Sequence, residues 1–305
     1  MNCKMSELIK RNKNQIVDKS NDNIKKDHIK PKKSNIELKV LSRVVVIFSL
    51  LVVVYFSSKE ENEKPFAKQA EVVVGKGQIV ECSQSYLKEI DKYEGCCPKQ
   101  CKRYVTDNVI SMDEVEELLN IAKNGFMFGG SDGGASILDL HSGALSKGQH
   151  FIDLYSIESA KNLFTEDYYK VLKVIESKIK HALAQHFGAD PNKIYLTSPS
   201  FFSLITSKKA VTIHDEYWHP HVDKDTYKSF HYTTLLYLGD YGVDFEGGKF
   251  VFIDEKQNRT IEPRRGRVSM FTSGSENLHY VEKVKSGVRY ALTIAFTCEK
   301  VYKLD

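Results

Sequence analysis

Residues 217–225 read YWHPHVDKD and contain a His-x-Asp triplet at His221 and Asp223. On a β-strand, residues i and i+2 point to the same face, so an imidazole and a carboxylate at this spacing can bind one metal ion together. His279 follows 58 residues after His221 and is a candidate for a third ligand. The sequence therefore predicts a metal site formed by His221, Asp223 and His279.

Other side chains near the triplet are weaker candidates for metal ligands. His219 shares the strand face of His221, but as a further ligand it would crowd the site. His231 is interpreted as an outward-facing strand residue, and Asp225 as a loop residue beside the site. His221 is preferred because only this histidine has an aspartate two positions later.

Arg289 follows ten residues after His279, in the strand-like stretch SGVRYALT at residues 286–293. Two histidines and one carboxylate leave one side of an ion open, which is the arrangement of non-haem Fe(II) oxygenases. A guanidinium binds a carboxylate through two parallel hydrogen bonds and stays charged when it is buried. Arg289 is therefore the candidate for holding the far carboxylate of a dicarboxylate co-substrate.

The complete series of motifs resembles a known family. From about Ser111 to Cys298, the chain resembles the prolyl 4-hydroxylase-like 2-oxoglutarate- and iron-dependent dioxygenases, including the stretches DFEGGKFVF at 244–252 and FTSGSENLH at 271–279. The resemblance implies Fe(II) and 2-oxoglutarate as cofactors, O2 as a substrate and ascorbate as the reductant of iron. It also implies a peptidyl proline or lysine as the acceptor.

The resemblance assigns a role to Tyr237, which matches a family tyrosine that hydrogen-bonds the same carboxylate as Arg289; the alternative is a tyrosine of the core. Thr293, two residues beyond Arg289, is a weaker candidate for the same role. Collagen-type prolyl 4-hydroxylases have lysine where this chain has Arg289. This departure favours the lysyl-hydroxylase and oxygen-sensing branches and leaves the acceptor open.

The hydrophobic pattern predicts two helices followed by several strands. Ser111 and Glu114 form a capping-box pattern at the start of one helix, Gly125 is expected to end it, and Thr165 precedes a second helix. The strand signals are at 194–197, 201–206, 230–238, 249–253, 268–271 and 289–297. We expect an α+β fold, a double-stranded β-helix or jelly roll with helices packed on one face.

Four regions are predicted along the 305 residues. Residues 1–39 are predicted to be a disordered basic tail, and 40–58 a single transmembrane helix. Residues 59–105 are interpreted as a cysteine-containing stem, and 106–305 as the oxygenase domain. Residues 1–43 contain 12 Lys/Arg and 5 Asp/Glu, whereas acidic residues follow the apolar segment, so the N-terminus should face the cytosol and the oxygenase domain the lumen of the ER or Golgi.

The lumenal orientation carries two further expectations. Cys82, Cys96, Cys97, Cys101 and Cys298 should form disulfides and leave at least one thiol unpaired within the chain, whereas a zinc site lacks the histidines. The sequon at Asn258 is expected on an exposed turn and to be glycosylated.

Two other function classes compete with the oxygenase. A membrane-anchored binding module could keep the jelly roll and lack turnover, and a metal-dependent hydrolase would leave Arg289 without a role. Residues 44–305 contain 32 Lys/Arg and 35 Asp/Glu, so no basic surface for nucleic acid is predicted there.

Overall fold

A computed structural model of the protein describes residues 34–57 and 63–304. The chain falls into two units, Met1–Glu60 and Glu61–Asp305. The first contains the helix α1 (Ser34–Ser57). Among the described residues, no helix has both the length and the apolar character needed to cross a membrane. The predicted segment 40–58 is helical as far as Ser57, and its role as a membrane span stays a prediction. Residues 1–33 of the predicted disordered tail lie outside the described residues, whereas 34–39 belong to α1, so the prediction of disorder is wrong there.

The second unit combines helices with many short strands. The helices are α2 (Gln84–Ile90), α3 (Met112–Phe126), α4 (Glu166–Phe187) and the single turn α5 (Asp223–Thr226). The strands are β1 (Glu63–Ala67), β2 (Lys76–Ile79), β3 (Lys102–Thr106), β4 (Gly130–Ser131), β5 (Ala135–Asp139), β6 (Ala144–Gly148), β7 (His150–Asp153), β8 (Tyr195–Thr206), β9 (Tyr232–Tyr237), β10 (Phe245–Gly247), β11 (Phe250–Phe252), β12 (Asn258–Ile261), β13 (Val268–Thr272), β14 (His279–Val281) and β15 (Val284–Thr297).

The two long helices begin where the sequence predicts. The Ser111 hydroxyl accepts from the backbone N–H of Glu114, and the Glu114 carboxylate accepts from the backbone of Ser111, so the predicted capping box is formed. Thr165 caps α4. The prediction that Gly125 ends α3 is wrong. A Cβ at this position would lie 2.5 Å from the side chain of Leu138, so the glycine allows close packing against β5.

The strands form two mainly antiparallel sheets. The larger sheet has the order β2-β3-β13-β9-β15-β8-β5-β6-β4, and the smaller has the order β1-β12-β11-β14. β9 and β15 lie at the centre of the larger sheet, and every residue of β9 is buried. One face of β9 contributes Tyr232 and Leu236 to the core under the helices, whereas the other contributes Leu235 and Tyr237 to the core of the smaller sheet. The central strands are therefore covered on both faces.

This architecture confirms the predicted mixed fold of helices and antiparallel sheets. It also changes the predicted limits of several elements. The strand signals at 194–197 and 201–206 are one long strand, β8. The predicted boundary between stem and oxygenase domain at residues 105/106 falls inside β3, which pairs with β13.

The predicted stem is part of the folded unit because its strands pair with strands far along the chain. β1 pairs in parallel with β12, and disulfides join Cys82 to Cys101 and Cys96 to Cys298. Cys97 is the one free cysteine among the described residues. The predicted disulfides, with one thiol left unpaired, are confirmed.

Candidate metal centre and co-substrate cavity

A cavity of about 850 Å³ is lined by residues of both sheets and of the segment that precedes α5. His221, Asp223, His279 and Arg289 all line it. The predicted candidates for a metal and for a dicarboxylate thus share one cavity.

The two histidines are brought together by the backbone. His221 and His279 form an antiparallel bridge in which each N–H donates to the other's carbonyl, at 2.9 and 3.1 Å. Asp223 is the first residue of α5, so the His-x-Asp triplet is not on a continuous strand as the sequence suggested. The bridge at His221 and the helical turn that begins at Asp223 still direct the side chains of these two residues to the same point.

Asp223 is central to the group. Its Oδ1 lies 3.6 Å from Nε2 of His221 and 3.6 Å from Nε2 of His279. The three ligand atoms all lie within 4.8 Å of one another. Atoms at these separations can bind one ion without a large movement of the backbone.

Backbone carbonyls determine which nitrogen of each ring faces the cavity. Nδ1 of His221 donates to the carbonyl of His219 at 3.0 Å, and Nδ1 of His279 donates to the carbonyl of Asn277 at 2.8 Å. Each neutral ring therefore presents the lone pair of Nε2, which is the form that ligates a metal. His219 supports the site through its carbonyl, while its own imidazole lies 2.5 Å from Glu216.

The two oxygens of Asp223 have different partners. The Thr233 hydroxyl donates to Oδ2 at 2.6 Å and lies 2.9 Å from the hydroxyl of Ser273. Oδ2 is thereby held by the central strand β9, whereas Oδ1 faces the two histidines. Sequence patterns did not identify Thr233, because a buried threonine in a strand has no distinctive spacing.

His279 is buried at the inner end of the group and stacks on Phe250, with ring centres 4.8 Å apart. Burial lowers the pKa of His279, although the carboxylate of Asp223 acts in the opposite direction. The lowered pKa keeps the imidazole neutral and able to bind a metal near neutral pH.

Arg289 is the most unusual charged residue of the cavity. It is 1% exposed, and its Nε donates to the carbonyl of Gly248 at 2.9 Å. Its Nη2 is buried without a hydrogen-bond partner, and none of the described carboxylates forms an ion pair with it. Burial lowers the pKa of Arg289, but a guanidinium remains protonated in a protein. The group is therefore a buried cation that lacks a counter-charge.

Gly248 allows this approach. Its φ is +68°, and a Cβ would lie 3.0 Å from Cδ of Arg289. A larger residue would be strained and would displace the arginine. The contact of Gly248 with Arg289 was not predicted from the sequence.

Tyr237 lies behind Arg289, and Thr293 lines the cavity. The guanidinium of Arg289 is 5.6 Å from the ring centre of Tyr237, whose hydroxyl lies 3.4 Å from that of Ser269. Burial raises the pKa of Tyr237, so its hydroxyl stays protonated. The hydrogen bond from Tyr237 to the co-substrate stays a prediction.

A second group of potential ligands consists of Glu89, His231 and Glu299. His231 is fully buried, so the prediction that it faces outward is wrong. The backbone N–H of Cys298 donates to Nδ1 of His231 at 3.2 Å, which leaves the proton of the neutral ring on Nε2. Burial lowers the pKa of His231 to about 3, and the ammonium of Lys224 lies 2.6 Å from Glu89. We interpret this group as a buried polar network, because a protonated Nε2 cannot ligate a metal.

The sequon at Asn258 begins β12 and does not lie on an exposed turn. Asn258 is half-buried, and its Oδ1 accepts from the backbone N–H of Asp254 at 3.3 Å. Thr260 is 2% exposed and lies within the smaller sheet. The prediction that the sequon lies on an exposed turn is therefore wrong. Its pairing with β1 and β11 involves distant residues and is not visible in the local sequence.

The donor set fits Fe(II), since two neutral imidazoles and one carboxylate leave coordination positions open. The guanidinium of Arg289, whose Nη2 lacks a partner and whose charge is not neutralised by a described carboxylate, fits the far carboxylate of 2-oxoglutarate. The site can thus hold a metal and an anionic co-substrate in one cavity.

Comparisons with known proteins agree with this chemistry. Residues 209–297 match the 2OG-Fe(II) oxygenase superfamily. The chain is 53% identical over 241 residues to mouse 2-oxoglutarate and iron-dependent oxygenase domain-containing protein 3, covering 78% of this chain and 76% of the relative. It is 49% identical over 262 residues to the human protein of that name, covering 85% and 82%.

Other similarities cover a shorter stretch or concern the structure alone. Human prolyl 3-hydroxylase 2 is 43% identical over 75 residues, which is 24% of this chain and 10% of that protein. A prolyl hydroxylase in complex with a hypoxia inducible factor oxygen degradation domain peptide fragment, from Trichoplax adhaerens, is 16% identical with a TM-score of 0.45, covering 70% of this chain and 88% of that one.

Proposed function

Because this chain belongs to the 2OG-Fe(II) oxygenase family, we propose that it is an active dioxygenase that hydroxylates a peptidyl proline or lysine. The observation that carries the proposal is the guanidinium of Arg289, which has no carboxylate partner among the described residues and lies in the cavity of the His221, Asp223 and His279 group. An inactive binding module has no need for a buried, unneutralised cation beside a complete set of metal ligands.

In the proposed reaction, His221, Asp223 and His279 hold the metal through two imidazoles and one carboxylate. When bound, Fe(II) supplies the activation of O2 that is coupled to the decarboxylation of 2-oxoglutarate. Arg289 binds the far carboxylate and thereby fixes the orientation of the co-substrate. The apolar walls exclude bulk water from the reacting centre. We propose ascorbate as the reductant that keeps iron ferrous, and we assign no residue to it.

The cavity wall favours an uncharged acceptor over a lysine. Tyr227 and Phe230 stack on one another with ring centres 4.8 Å apart, and both line the cavity. The carboxylates in the lining belong to Asp223, which faces the metal position, and Glu216, which is paired with His219. Both carboxylates of the described lining thus already have a partner within the chain, whereas aromatic faces suit a proline ring.

We propose further that the oxygenase unit lies in the lumen of the secretory pathway and that the segment around α1 anchors it as a single-pass type II membrane protein. The two disulfides support an oxidising compartment. The Lys/Arg excess of residues 1–43 supports a cytosolic N-terminus. Protease treatment of intact microsomes tests the proposal, since digestion of the oxygenase unit would refute it.

Succinate release tests the proposed activity. The purified protein, incubated with Fe(II), ascorbate, 2-oxoglutarate and proline- or lysine-containing peptides, should release succinate. His279→Ala should abolish the release, because one imidazole and one carboxylate hold the metal weakly. Glu117→Gln, at an exposed position of α3, serves as a folded control. Succinate release that is equal in wild type and His279→Ala would contradict the assignment, and its absence in wild type with every peptide would favour the binding module.

A further inference from the structure

Arg103 is a buried arginine in β3, more than 100 residues before the region that matches the oxygenase superfamily. Its side chain is 1% exposed, and its guanidinium lies over the ring of Phe252 at 4.2 Å from the ring centre. Cys101, two residues earlier, is joined to Cys82. The arginine therefore projects from a cross-linked segment into the core of the smaller sheet.

The guanidinium binds the loop that leads into His279. Its Nε donates to the side-chain Oδ1 of Asn277 at 2.7 Å, and its Nη2 donates to the backbone carbonyl of Glu276 at 3.1 Å. The carboxylate of Asp254 accepts from Nη1 at 2.9 Å and neutralises the charge. Three acceptors in fixed directions use the planar fork that distinguishes arginine from lysine.

Asn277 connects this guanidinium to the imidazole. Its side-chain amide also donates to the carbonyl of Thr272 at 2.7 Å, so both ends of the amide are fixed. Its backbone carbonyl accepts from Nδ1 of His279 at 2.8 Å. The acceptor that orients the metal-facing ring is thus part of a residue clamped by Arg103.

We propose that Arg103 is a positioning residue for His279 and acts through Asn277. The inference rests on the proposed function, because it takes His279 as a metal ligand. Groups that orient a ligating histidine commonly change metal affinity about 10- to 100-fold when they are replaced. A segment outside the matched region thereby contributes to the metal centre.

Arg267 provides a matched control. It is also fully buried, also paired with a carboxylate, that of Asp107, and also bonded to backbone carbonyls. It has no described contact with the loop before His279. Arg267→Lys therefore reports the loss of stability expected from replacing a buried arginine, without a change at the metal centre.

The test is Co(II) binding to metal-free full-length protein, followed by the visible absorption of the bound ion, together with the melting temperature of each variant. Arg103→Lys should weaken Co(II) binding about 10- to 100-fold. Arg267→Lys should leave Co(II) affinity unchanged within about twofold, because distant sites do not couple. Both variants should melt at lower temperature than wild type. Equal Co(II) affinities for the two variants would overturn the inference.

Asn277→Ala tests the route of the effect. This variant keeps the carbonyl that accepts from His279 and removes the link to Arg103. In the Asn277→Ala background, Arg103→Lys should add little further loss of Co(II) affinity, whereas fully multiplicative effects would show that Arg103 acts elsewhere.

His279→Ala distinguishes a failure of the proposed metal centre from a failure of the inference about Arg103. If it binds Co(II) as wild type does, the proposed metal centre fails; if only the Arg103 variant behaves as wild type, the inference alone fails.

Discussion

Arg267 and Arg289 are equally buried, yet their surroundings differ completely. Arg267 donates through Nε and Nη2 to the carboxylate of Asp107, at 2.8 and 3.0 Å, and its remaining bonds go to the carbonyls of Lys68, Glu71 and Glu262. Arg289 has one hydrogen bond, to the carbonyl of Gly248, and an Nη2 without a partner. The first arginine completes its interactions within the chain, whereas the second does not.

We interpret the difference as that between a buried charge that serves folding and one that serves binding. A buried ion without a partner costs several kcal/mol, whereas one with a complete set of partners roughly balances its desolvation. A fold has no reason to keep the first kind unless a ligand neutralises it. Arg289 lines the cavity and Arg267 does not, which is consistent with the proposed binding of the co-substrate carboxylate at Arg289.

The largest effect that tests this comparison is on co-substrate affinity. Arg289→Ala removes a charged contact from a buried site, which should cost about 3–5 kcal/mol, or roughly two to four orders of magnitude in the Kd for 2-oxoglutarate. Arg289→Lys should bind better than Arg289→Ala, because the charge survives although the planar fork is lost. Calorimetric titration of 2-oxoglutarate into the metal-loaded protein measures both constants.

Arg267→Lys is the control for that titration and should bind 2-oxoglutarate as wild type does. Metal affinity should be nearly unchanged in both Arg289 variants, because this residue is not a ligand. A wild-type Kd for Arg289→Ala would mean that the co-substrate carboxylate is held elsewhere.

A second prediction concerns the stability of the protein without metal or co-substrate. Arg267→Met removes the nearest cation and two hydrogen bonds from the buried carboxylate of Asp107, and should destabilise the fold by about 3–5 kcal/mol. Arg289→Met removes an unneutralised cation and replaces it with a flexible apolar side chain. It should change the free energy of unfolding by less than about 1 kcal/mol, or stabilise the protein.

Urea denaturation of both variants, with the disulfides intact, measures this difference. Added metal should stabilise wild type and Arg289→Met alike, since Arg289 is not a ligand. 2-Oxoglutarate added to the metal-loaded proteins should then stabilise wild type further and leave Arg289→Met almost unaffected, since only a ligand that binds the native state shifts the midpoint. Equal destabilisation of the two variants would remove the distinction between a folding arginine and a binding arginine.

The sequence predicted the grouping of the candidate residues better than the contacts that support them. His221, Asp223, His279 and Arg289 were found because their residue types and spacing form a series that chance does not easily produce. Asn277 could not be found in the same way, because it orients His279 through a backbone carbonyl, which every residue has. The metal-facing nitrogen is thus fixed by a contact with no sequence signature.

The fold was predicted where local patterns decide it and missed where distant pairing decides it. Ser111, Glu114 and Thr165 start their helices through side chains that lie next to the helix, so the pattern was sufficient. β1 and β3 lie in a charged, cysteine-containing stretch and gain stability from β12 and β13, more than 150 residues later. His231 was misassigned because a strand's alternation gives no sign that both of its faces are covered.

A smaller effect than that of Arg267→Met is predicted for Glu176 of α4, a half-buried carboxylate whose Oε1 also lacks a partner among the described residues. Unlike Arg289, a carboxyl group can lose its charge, and burial raises the pKa of Glu176 to about 7, with Lys173 partly opposing the shift. The folded state therefore binds more protons than the unfolded state between the ordinary value of 4.5 and about 7, so this group's contribution to stability falls as pH rises through that window.

Glu176→Gln should remove this pH dependence. Above pH 7 its free energy of unfolding should exceed that of wild type by about 1–3 kcal/mol, after allowance for partial exposure. Unfolding midpoints measured from pH 4.5 to 8 check this, with Glu117→Gln, at an exposed position of α3, as a control expected to parallel wild type. Parallel curves for Glu176→Gln and wild type would show that the carboxylate finds a partner, and that Arg289 alone among these groups keeps an unneutralised charge.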